Sequence, residues 1–178
     1  MDVPAGLVFF LGLCVGSFLN VLIDRLPRGE SVLWTRSHCD YCKKPLRWFE
    51  LIPIVSFVLQ AGRCRRCHKK LSWQYPIVEL ITAGGFLYGM YGPDGLYGSN
   101  VGMGLIAYLL IFSSLLVIFV SDLKYQIIPD SMVVVGVIGA IGAIGGIWKI
   151  RENTLVGLGA AAFFFMLWMV TRGRGMGL

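Results

Sequence analysis

The sequence predicts an all-α integral membrane protein, a polytopic helical bundle of about five transmembrane helices with a zinc-binding cytoplasmic loop domain. Three observations support this fold class. The 178 residues are 56% hydrophobic and only 15% charged, whereas soluble domains are about 45–50% apolar and about one quarter charged. The apolar residues fall into separate blocks. Most basic residues and four of the five cysteines lie between the first two blocks.

Each apolar block is close to the length of about 17–25 residues that a helix needs to cross a bilayer. The blocks cover residues 3–23, 75–91, 101–121, 132–148 and 155–170. The first is expected to be a retained helix, because an acid but no Lys or Arg precedes it and no small-residue cleavage site follows. We therefore expect a first transmembrane helix within residues 1–23 and a transmembrane core over residues 75–178.

The basic residues predict the orientation of the chain. Residues 24–74 hold eleven of the sixteen Lys and Arg residues, against four acids. Because cytoplasmic loops of membrane proteins are enriched in Lys and Arg, we expect this segment in the cytoplasm and the N-terminus outside. The net charge of +6 then reflects topology and affinity for anionic membrane lipid. No basic surface remains that would indicate nucleic-acid binding.

Four cysteines of this loop form two CxxC pairs, "CDYC" (Cys39, Cys42) and "CRRC" (Cys64, Cys67), with 21 residues between them. Two such pairs at this separation are typical of a tetrahedral zinc site, in which each pair directs two thiolates toward one ion. Neighbouring Lys and Arg residues favour the thiolate form that binds metal. Four thiolates leave no open coordination position, so the site is expected to be structural rather than catalytic.

Two alternatives use the same cysteines. The first is a pair of disulfides, which the reducing cytoplasm disfavours. The second is haem attachment, because "CRRCH", ending at His68, matches the C-x-x-C-H pattern. Haem attachment takes place outside the cytoplasm, however, and would leave "CDYC" without a role. Under the zinc interpretation no thiolate ligand is missing, so His38 and His68 are surface residues.

Two local patterns predict how the loop and the helices pack. The apolar segment 51–59 contains Pro53 and is too short to cross a membrane, so we expect it at the membrane surface or against the bundle. The fourth block has a glycine at every third position: Gly136, Gly139, Gly142 and Gly145. Glycine is unfavourable inside a helix, so this pattern indicates close backbone contact with a neighbouring helix.

Two acids lie near the predicted cytoplasmic ends of apolar blocks. Glu79 lies about one helical turn inside the second block, where an ionisable side chain either serves a function or reaches the surface and pairs with Arg or Lys. Asp122 ends the third block, and Asp130 follows eight residues later. From the residues alone, Asp122 is an interfacial acid and Asp130 an N-cap of the next helix. The alternative is that Asp122 belongs to a pair of carboxylates that share a proton and activate water.

Several motifs, in order along the chain, resemble a type IV prepilin leader peptidase. They are "GSFLNVLIDRLPRGES" (16–31), the CxxC pairs, "ELIPIVSFVLQAGRC" (50–64), "SWQYPIVELIT" (72–82) and "SDLKYQIIPD" (121–130). The resemblance runs from Gly16 to the last residue. It implies a multi-pass protein of the bacterial cytoplasmic (inner) membrane that serves type IV pilus or type II secretion systems.

The resemblance implies an aspartic endopeptidase that cuts the short basic leader from prepilins and pseudopilins, after a glycine, at the cytoplasmic membrane face. Asp122 corresponds to the first catalytic aspartate. The second belongs to a "GxGD" motif at the start of a later helix, and "RGRGMGL" (172–178) resembles the lead-in to that motif. We therefore expect the second aspartate after Leu178 in a longer protein. These residues alone are expected not to cleave prepilin, because one carboxylate cannot play both roles.

The resemblance also implies N-methylation of the new N-terminus with S-adenosylmethionine, an activity associated with the cysteine-containing region. Gly62 and Glu79 are the candidate residues for that site. The implied partners are a prepilin or pseudopilin and membrane lipid, with no nucleic acid. The competing hypothesis is a non-enzymatic, zinc-stapled membrane scaffold or assembly factor, in which Asp122 is only interfacial.

Overall fold

The computed structural model describes residues 3–32, 34–39, 41–92 and 101–143, with side chains from residue 104 onward in the last range. Within these residues the chain forms five α-helices: α1 (Ala5–Arg25), α2 (Val55–Leu59), α3 (Gln74–Tyr91), α4 (Val101–Tyr125) and α5 (Asp130–Ala143). Two 3₁₀ turns, Leu26–Arg28 and Trp48–Leu51, lie in the loop between α1 and α2. The described residues contain isolated β-bridges but no β-strand, which confirms the helical prediction.

Two of the described helical segments, Ala5–Arg28 and Gly104–Tyr125, are long and apolar enough to cross a bilayer. They coincide with the first and third predicted spans. Helix α3 coincides with the second block and α5 with the start of the fourth. For these two the helix is confirmed, and the membrane crossing stays a prediction. The fifth block, residues 155–170, lies outside the described residues.

Helices α1 and α3 approach each other most closely at two glycines of α1. A Cβ atom on Gly12 would lie 2.5 Å from the Cα atom of Ala83, and one on Gly16 would lie 2.7 Å from the Cα atom of Glu79. No side chain fits at either distance, so only glycine permits this spacing of the two backbones. The G-x-x-x-G pair is visible in the sequence, but we predicted close packing only from the glycines of the fourth block.

The packing predicted from those later glycines is present between α4 and α5. A Cβ atom on Gly136 would lie 2.8 Å from a serine hydroxyl of α4, and one on Gly139 would lie 2.9 Å from an isoleucine side chain of α4. A Cβ atom on Gly142 would make only an ordinary contact at 3.6 Å. Gly145 lies outside the described residues. The prediction is therefore confirmed for Gly136 and Gly139.

An apolar cluster fills the space where α1, α3, α4 and α5 meet. Its buried members are Leu19, Leu22, Ile23, Val78, Val117 and Met132. They come from the ends of α1 and α4 and from the starts of α3 and α5, so the cluster lies at one end of the bundle. This is the end that carries the cysteine loop and Asp122. Burial of these side chains therefore orders the part of the bundle on which the site is built.

The predicted surface segment of the loop packs against the bundle on one side only. Ile54 contacts α3 through a backbone hydrogen bond to Glu79. On the other side, Val58 and Leu59 of α2 expose 67% and 81% of their surface, and Trp48 exposes 77%. Packing on the bundle is therefore confirmed, and contact of the exposed side with the membrane surface stays a prediction.

We expect Gly12→Ala to destabilise the protein by about 1–3 kcal/mol, because the added methyl group would overlap the α3 backbone. Gly84→Ala is the matched control, since it adds the same group inside α3 where nothing lies within 4 Å. The measurement is the thermal unfolding midpoint of each variant in the same detergent. Equal midpoints for the two variants would contradict the close contact of α1 with α3.

Candidate functional site

Four cysteine thiols converge at one point of the loop. The Sγ atoms of Cys39, Cys42, Cys64 and Cys67 all lie within 4.8 Å of one another, and those of Cys39 and Cys67 are 3.8 Å apart. A tetrahedral ion with metal–sulfur bonds of about 2.3 Å, the length found for zinc, requires sulfur separations of about 3.8 Å. The donor set and its spacing therefore fit a metal ion bound by four thiolates.

The two CxxC pairs adopt the same backbone turn. In the first, the N–H of Lys43 donates a hydrogen bond to the Cys39 carbonyl at 2.8 Å, and in the second the N–H of His68 donates to the Cys64 carbonyl at 2.9 Å. Each first cysteine donates its own N–H to a lysine carbonyl five residues later, at 3.1 and 2.9 Å. Lys43 and His68 have φ values of 54° and 55°. Each therefore occupies the left-handed position that closes its turn.

Backbone hydrogen bonds lower the pKa values of the cluster thiols, and burial raises them. The backbone N–H groups of Cys67 and Arg66 lower the pKa of Cys64 to about 7. Burial raises the pKa of Cys39 to about 11, although backbone N–H groups also point toward its sulfur. A bound cation would hold both groups as thiolates, and the same N–H donors would then stabilise the ligand sulfurs.

The geometry argues against both alternative roles of these cysteines. All four are free thiols, and the 3.8 Å between the Cys39 and Cys67 sulfurs is far longer than a disulfide bond of about 2.05 Å. Haem attachment would use Cys64 and Cys67 alone, whereas the structure brings them against the "CDYC" pair. His68 contributes its backbone to the turn, and its side chain is exposed. The surface role predicted for His68 is therefore confirmed.

A cavity of about 500 Å³ lies between the cysteine loop and the adjoining ends of the helices. Its lining includes Cys39 and Cys64 of the thiol cluster, Phe57 of α2, Asn20 of α1 and Lys124 of α4. Pockets for small molecules typically measure about 300–1,000 Å³. The cavity is therefore large enough for a cofactor, and its wall combines side chains from the loop and from the bundle.

Glu79 lines this cavity and is only 6% exposed. Its carboxylate accepts a hydrogen bond from the Ile54 N–H at 2.7 Å, and the Ser17 side chain is its other polar partner. Among the residues that the structure describes, no Lys, Arg or His forms an ion pair with Glu79. The pairing with Arg or Lys that the sequence allowed is therefore not observed there, and Glu79 instead joins α3 to the loop.

The loop residue that Glu79 contacts has an unusual backbone conformation. Ile54 has φ 59° and ψ −51°, and the N–H of Val55 donates to the Pro53 carbonyl across it. This is a γ-turn of the rare positive-φ form, which is strained for a β-branched residue. The hydrogen bond to Glu79 therefore stabilises a turn that the local sequence disfavours.

Gly62 is not among the residues that line the cavity, but it packs against Phe57, which is. Its φ of 64° favours glycine, and a Cβ atom on it would lie 3.2 Å from the Phe57 ring. The Phe57 ring lines the cavity and packs against Trp73, with ring centroids 5.1 Å apart. A side chain at position 62 would therefore strain the backbone and displace a wall of the cavity.

Asp24, at the end of α1, connects three helices. Its carboxylate accepts hydrogen bonds from Lys124 Nζ at 2.6 Å and from the hydroxyls of Tyr75 and Tyr125, both at 3.1 Å. Lys124 and Tyr125 belong to the last turn of α4, so these contacts fix the turn that carries Asp122. The sequence has one signal for this role, an acid between an apolar helix and a basic loop. The signal is weak, because such an acid is also expected wherever a helix leaves the membrane.

Asp122 lies inside the last turn of α4, because the helix continues to Tyr125 and does not end at the acid. The side chain of Asp122 is exposed. Asp130 is also exposed. The sequence predicts Asp130 as the N-cap that precedes the next helix, whereas in the structure it is the first residue of α5. Only residues 126–129 separate the two helices, so both acids lie at the same end of the α4–α5 hairpin. A substrate in solution or at the membrane surface can reach them.

Two known families match along the chain. Residues 10–92 match the family described as Bacterial Peptidase A24 N-terminal domain, and residues 109–178 match the Type IV leader peptidase family. The first match includes Gly12 and Gly16 of α1, the cysteine loop and Glu79. The second begins within α4 and includes Asp122.

Curated relatives carry the name Prepilin leader peptidase/N-methyltransferase. The relative from Myxococcus xanthus is 40% identical over 129 residues, which cover 72% of this chain and 37% of the relative. The relatives from Bacillus subtilis and Pectobacterium carotovorum subsp. carotovorum are each 32% identical, over 72% and 93% of this chain. The matches cover 49% and 64% of those two relatives, so the chain spans about half the length of the relatives it matches. No solved structure matches the chain.

We expect His68→Gly to retain the metal and to stabilise the loop by up to about 1.5 kcal/mol. Glycine removes about 1–2 kcal/mol of left-handed strain and costs about 0.5–1 kcal/mol of chain entropy. Cys67→Ser is the contrasting variant, which removes a thiolate and is expected to lose the metal. The measurements are the metal content per chain by emission spectrometry and the unfolding midpoint. Loss of metal from His68→Gly would contradict the backbone role of this residue.

Proposed function

Because this chain belongs to the type IV leader peptidase family, we propose that it forms the cysteine loop and part of the catalytic core of a prepilin leader peptidase. Residues 1–23 serve as the first transmembrane helix, 24–74 as the cytoplasmic zinc-binding domain and 75–178 as the peptidase core. The protein lies in the bacterial inner membrane with its N-terminus outside. The observation that best supports this function is Asp122, an exposed carboxylate on the last turn of an apolar helix.

In the proposed cleavage reaction, Asp122 acts with a second carboxylate. One ionised aspartate takes a proton from the attacking water, while its protonated partner donates a hydrogen bond to the scissile carbonyl. Asp130 is a poor candidate for the partner, because it begins the next helix. Within these 178 residues Asp122 has no assigned second carboxylate, so we expect cleavage only from a protein that supplies one.

The proposed substrate is a prepilin or pseudopilin, cut after a glycine at the end of its short basic leader. The name shared by the relatives supports a prepilin substrate. We expect the apolar segment that follows the cleavage site to supply much of the binding by packing against the bundle. Many apolar side chains of α4 and α5 are exposed in the described residues, such as Phe119, Leu123 and Ile138, and membrane lipid is expected to cover those that the substrate does not.

We propose that zinc is the metal of the thiol cluster and that its role is structural. Four thiolate ligands complete its coordination, so no substrate group can bind the ion directly. A loop of about 50 residues cannot bury a large apolar core of its own, and the ion compensates for this. The contact of Ile54 with Glu79 then attaches the zinc-bound loop to α3.

We further propose that the cavity beside the cluster is the site of N-methylation. S-adenosylmethionine, when bound, would supply the methyl group for the new N-terminal amine. The chain contributes a volume of about 500 Å³, the carboxylate of Glu79 and an aromatic wall at Phe57. Gly62 keeps that wall in place. The name shared by the relatives, which includes N-methyltransferase, supports this second activity.

In an active protein that contains this chain, we expect Asp122→Asn to lower kcat for prepilin cleavage by roughly 100- to 10,000-fold, because an amide cannot accept the proton. Metal content is expected to stay unchanged, since the thiol cluster lies in a separate loop. Asp130→Asn is the control, because it neutralises an exposed acid at the same end of the hairpin. Wild-type cleavage by Asp122→Asn would show that Asp122 is only interfacial and that another group accepts the proton.

We expect Gly62→Ala to weaken the binding of S-adenosylmethionine by about tenfold, which corresponds to about 1.4 kcal/mol, because the added methyl group would displace Phe57 from its position in the cavity wall. Metal content should not change. Gly29→Ala is the matched control, since Gly29 has a φ of 66° against 64° for Gly62 but nothing within 4 Å. The dissociation constants are measured by titration calorimetry. Equal values for the two variants would contradict this role of Phe57.

A further inference from the structure

Two carboxylates other than Glu79 that line the cavity have a charged or a local partner within the chain. Asp24 pairs with Lys124 at 2.6 Å. The Glu50 carboxylate accepts a hydrogen bond from the Arg47 N–H at 2.7 Å and thereby caps its own turn. The partners of Glu79 are the Ile54 N–H and the Ser17 side chain. Unlike the lysine that pairs with Asp24 they are neutral, and unlike the partner of Glu50 they lie on other elements of the fold.

A carboxylate as buried as Glu79 gains most from a positive partner. Neutral donors satisfy its oxygens but do not balance its charge, and an unbalanced buried charge is unfavourable. No cationic side chain forms an ion pair with Glu79 within the described part of the chain. A cation that enters the adjoining cavity would therefore be attracted by Glu79 without displacing an ion pair seen among the described residues, although Arg25, Arg28, Lys70 and Lys124 line the same cavity.

We propose that Glu79 binds the cationic centre of a small ligand, an ammonium or sulfonium group, inside this cavity. The inference rests on the proposed methyl-transfer function, which supplies both chemistries. S-adenosylmethionine carries a sulfonium group, and the N-terminus of an acceptor peptide carries an ammonium group. Phe57 and Tyr75 also line the cavity, and aromatic rings attract the same cations.

Glu79 also holds the Ile54 turn, so a test must separate charge from hydrogen bonding. Glu79→Gln does so, because the glutamine carbonyl oxygen still accepts the hydrogen bond from the Ile54 N–H while the side chain loses its charge. Glu50→Gln is the matched control. It removes a charge from the lining of the same cavity, at a carboxylate whose partner lies within its own turn.

Binding is measured by titration calorimetry on the 178-residue chain, purified with its metal in detergent. The first arm compares S-adenosylmethionine with S-adenosylhomocysteine, which lacks the sulfonium charge. The second arm compares a short peptide that has a free N-terminal amine with its N-acetylated form. In at least one arm, the wild type is expected to bind the cationic member about tenfold more tightly, which corresponds to about 1.4 kcal/mol. Glu50→Gln is expected to keep this preference and Glu79→Gln to lose it.

The two arms identify the ligand. A preference that depends on Glu79 in the first arm indicates a sulfonium ligand, and in the second arm an ammonium ligand. Equal wild-type affinities for both members of each pair, or a preference that survives in Glu79→Gln, overturn the proposal. If S-adenosylmethionine binds the wild type and Glu79→Gln equally well, and the peptide arm shows no preference that depends on Glu79, the donor site stands and the role of Glu79 is rejected. Absence of binding by every probe rejects both the proposed methyl-transfer site and the role of Glu79.

Metal content and unfolding midpoint show whether Glu79→Gln folds. If it does not, Glu79→Asp replaces it, because aspartate keeps the charge but shortens the side chain by one methylene group. A weaker preference for the cationic member in Glu79→Asp then supports the proposal. An unchanged preference overturns it.

Discussion

The hydrogen bond from the Ile54 N–H to the Glu79 carboxylate joins the loop to the bundle, and the arrangement of the site depends on it. It holds a γ-turn that costs roughly 1–3 kcal/mol in strain, and a hydrogen bond to a charged acceptor contributes a comparable 1.5–3 kcal/mol. The turn directs α2 so that Phe57 reaches the cavity wall. Glu79 itself is fixed because its backbone lies against Gly16 of α1. Helix packing within the bundle thus determines where the loop docks.

The cavity and the exposed Asp122 lie next to each other at the last turn of α4. Lys124 lines the cavity and also pairs with Asp24, and it follows Asp122 by two residues on α4. The last turn of α4 therefore presents an exposed acid to the outside and a cation toward the cavity. Under the proposed function, a newly cut N-terminus would move only a short distance to the second site, because both proposed sites lie at the same helical turn.

The thiol cluster and the helices were predictable because they depend on local sequence patterns. Other contacts between residues far apart in the sequence were not predictable. The spacing of Cys39, Cys42, Cys64 and Cys67 was enough to predict one thiol cluster, because ligand geometry dictates spacing. The helices followed from blocks of apolar residues. The partner of Glu79 was not predictable, since it is a backbone N–H made available by a strained turn 25 residues away. Periodic glycines drew attention to α5, whereas the tighter contact uses a single G-x-x-x-G pair in α1.

The close contact of α1 with α3 has a consequence for the loop between them. Because glycine packing fixes both ends of the loop within the bundle, the chain entropy of closing it is already lost before any metal binds. The thiol cluster then has only to order a segment whose ends are held in place. Removal of the ion would loosen the loop and open the cavity while α1 and α3 stay together. A metal bound at the cluster would therefore act on the loop and the cavity rather than on the assembly of the bundle.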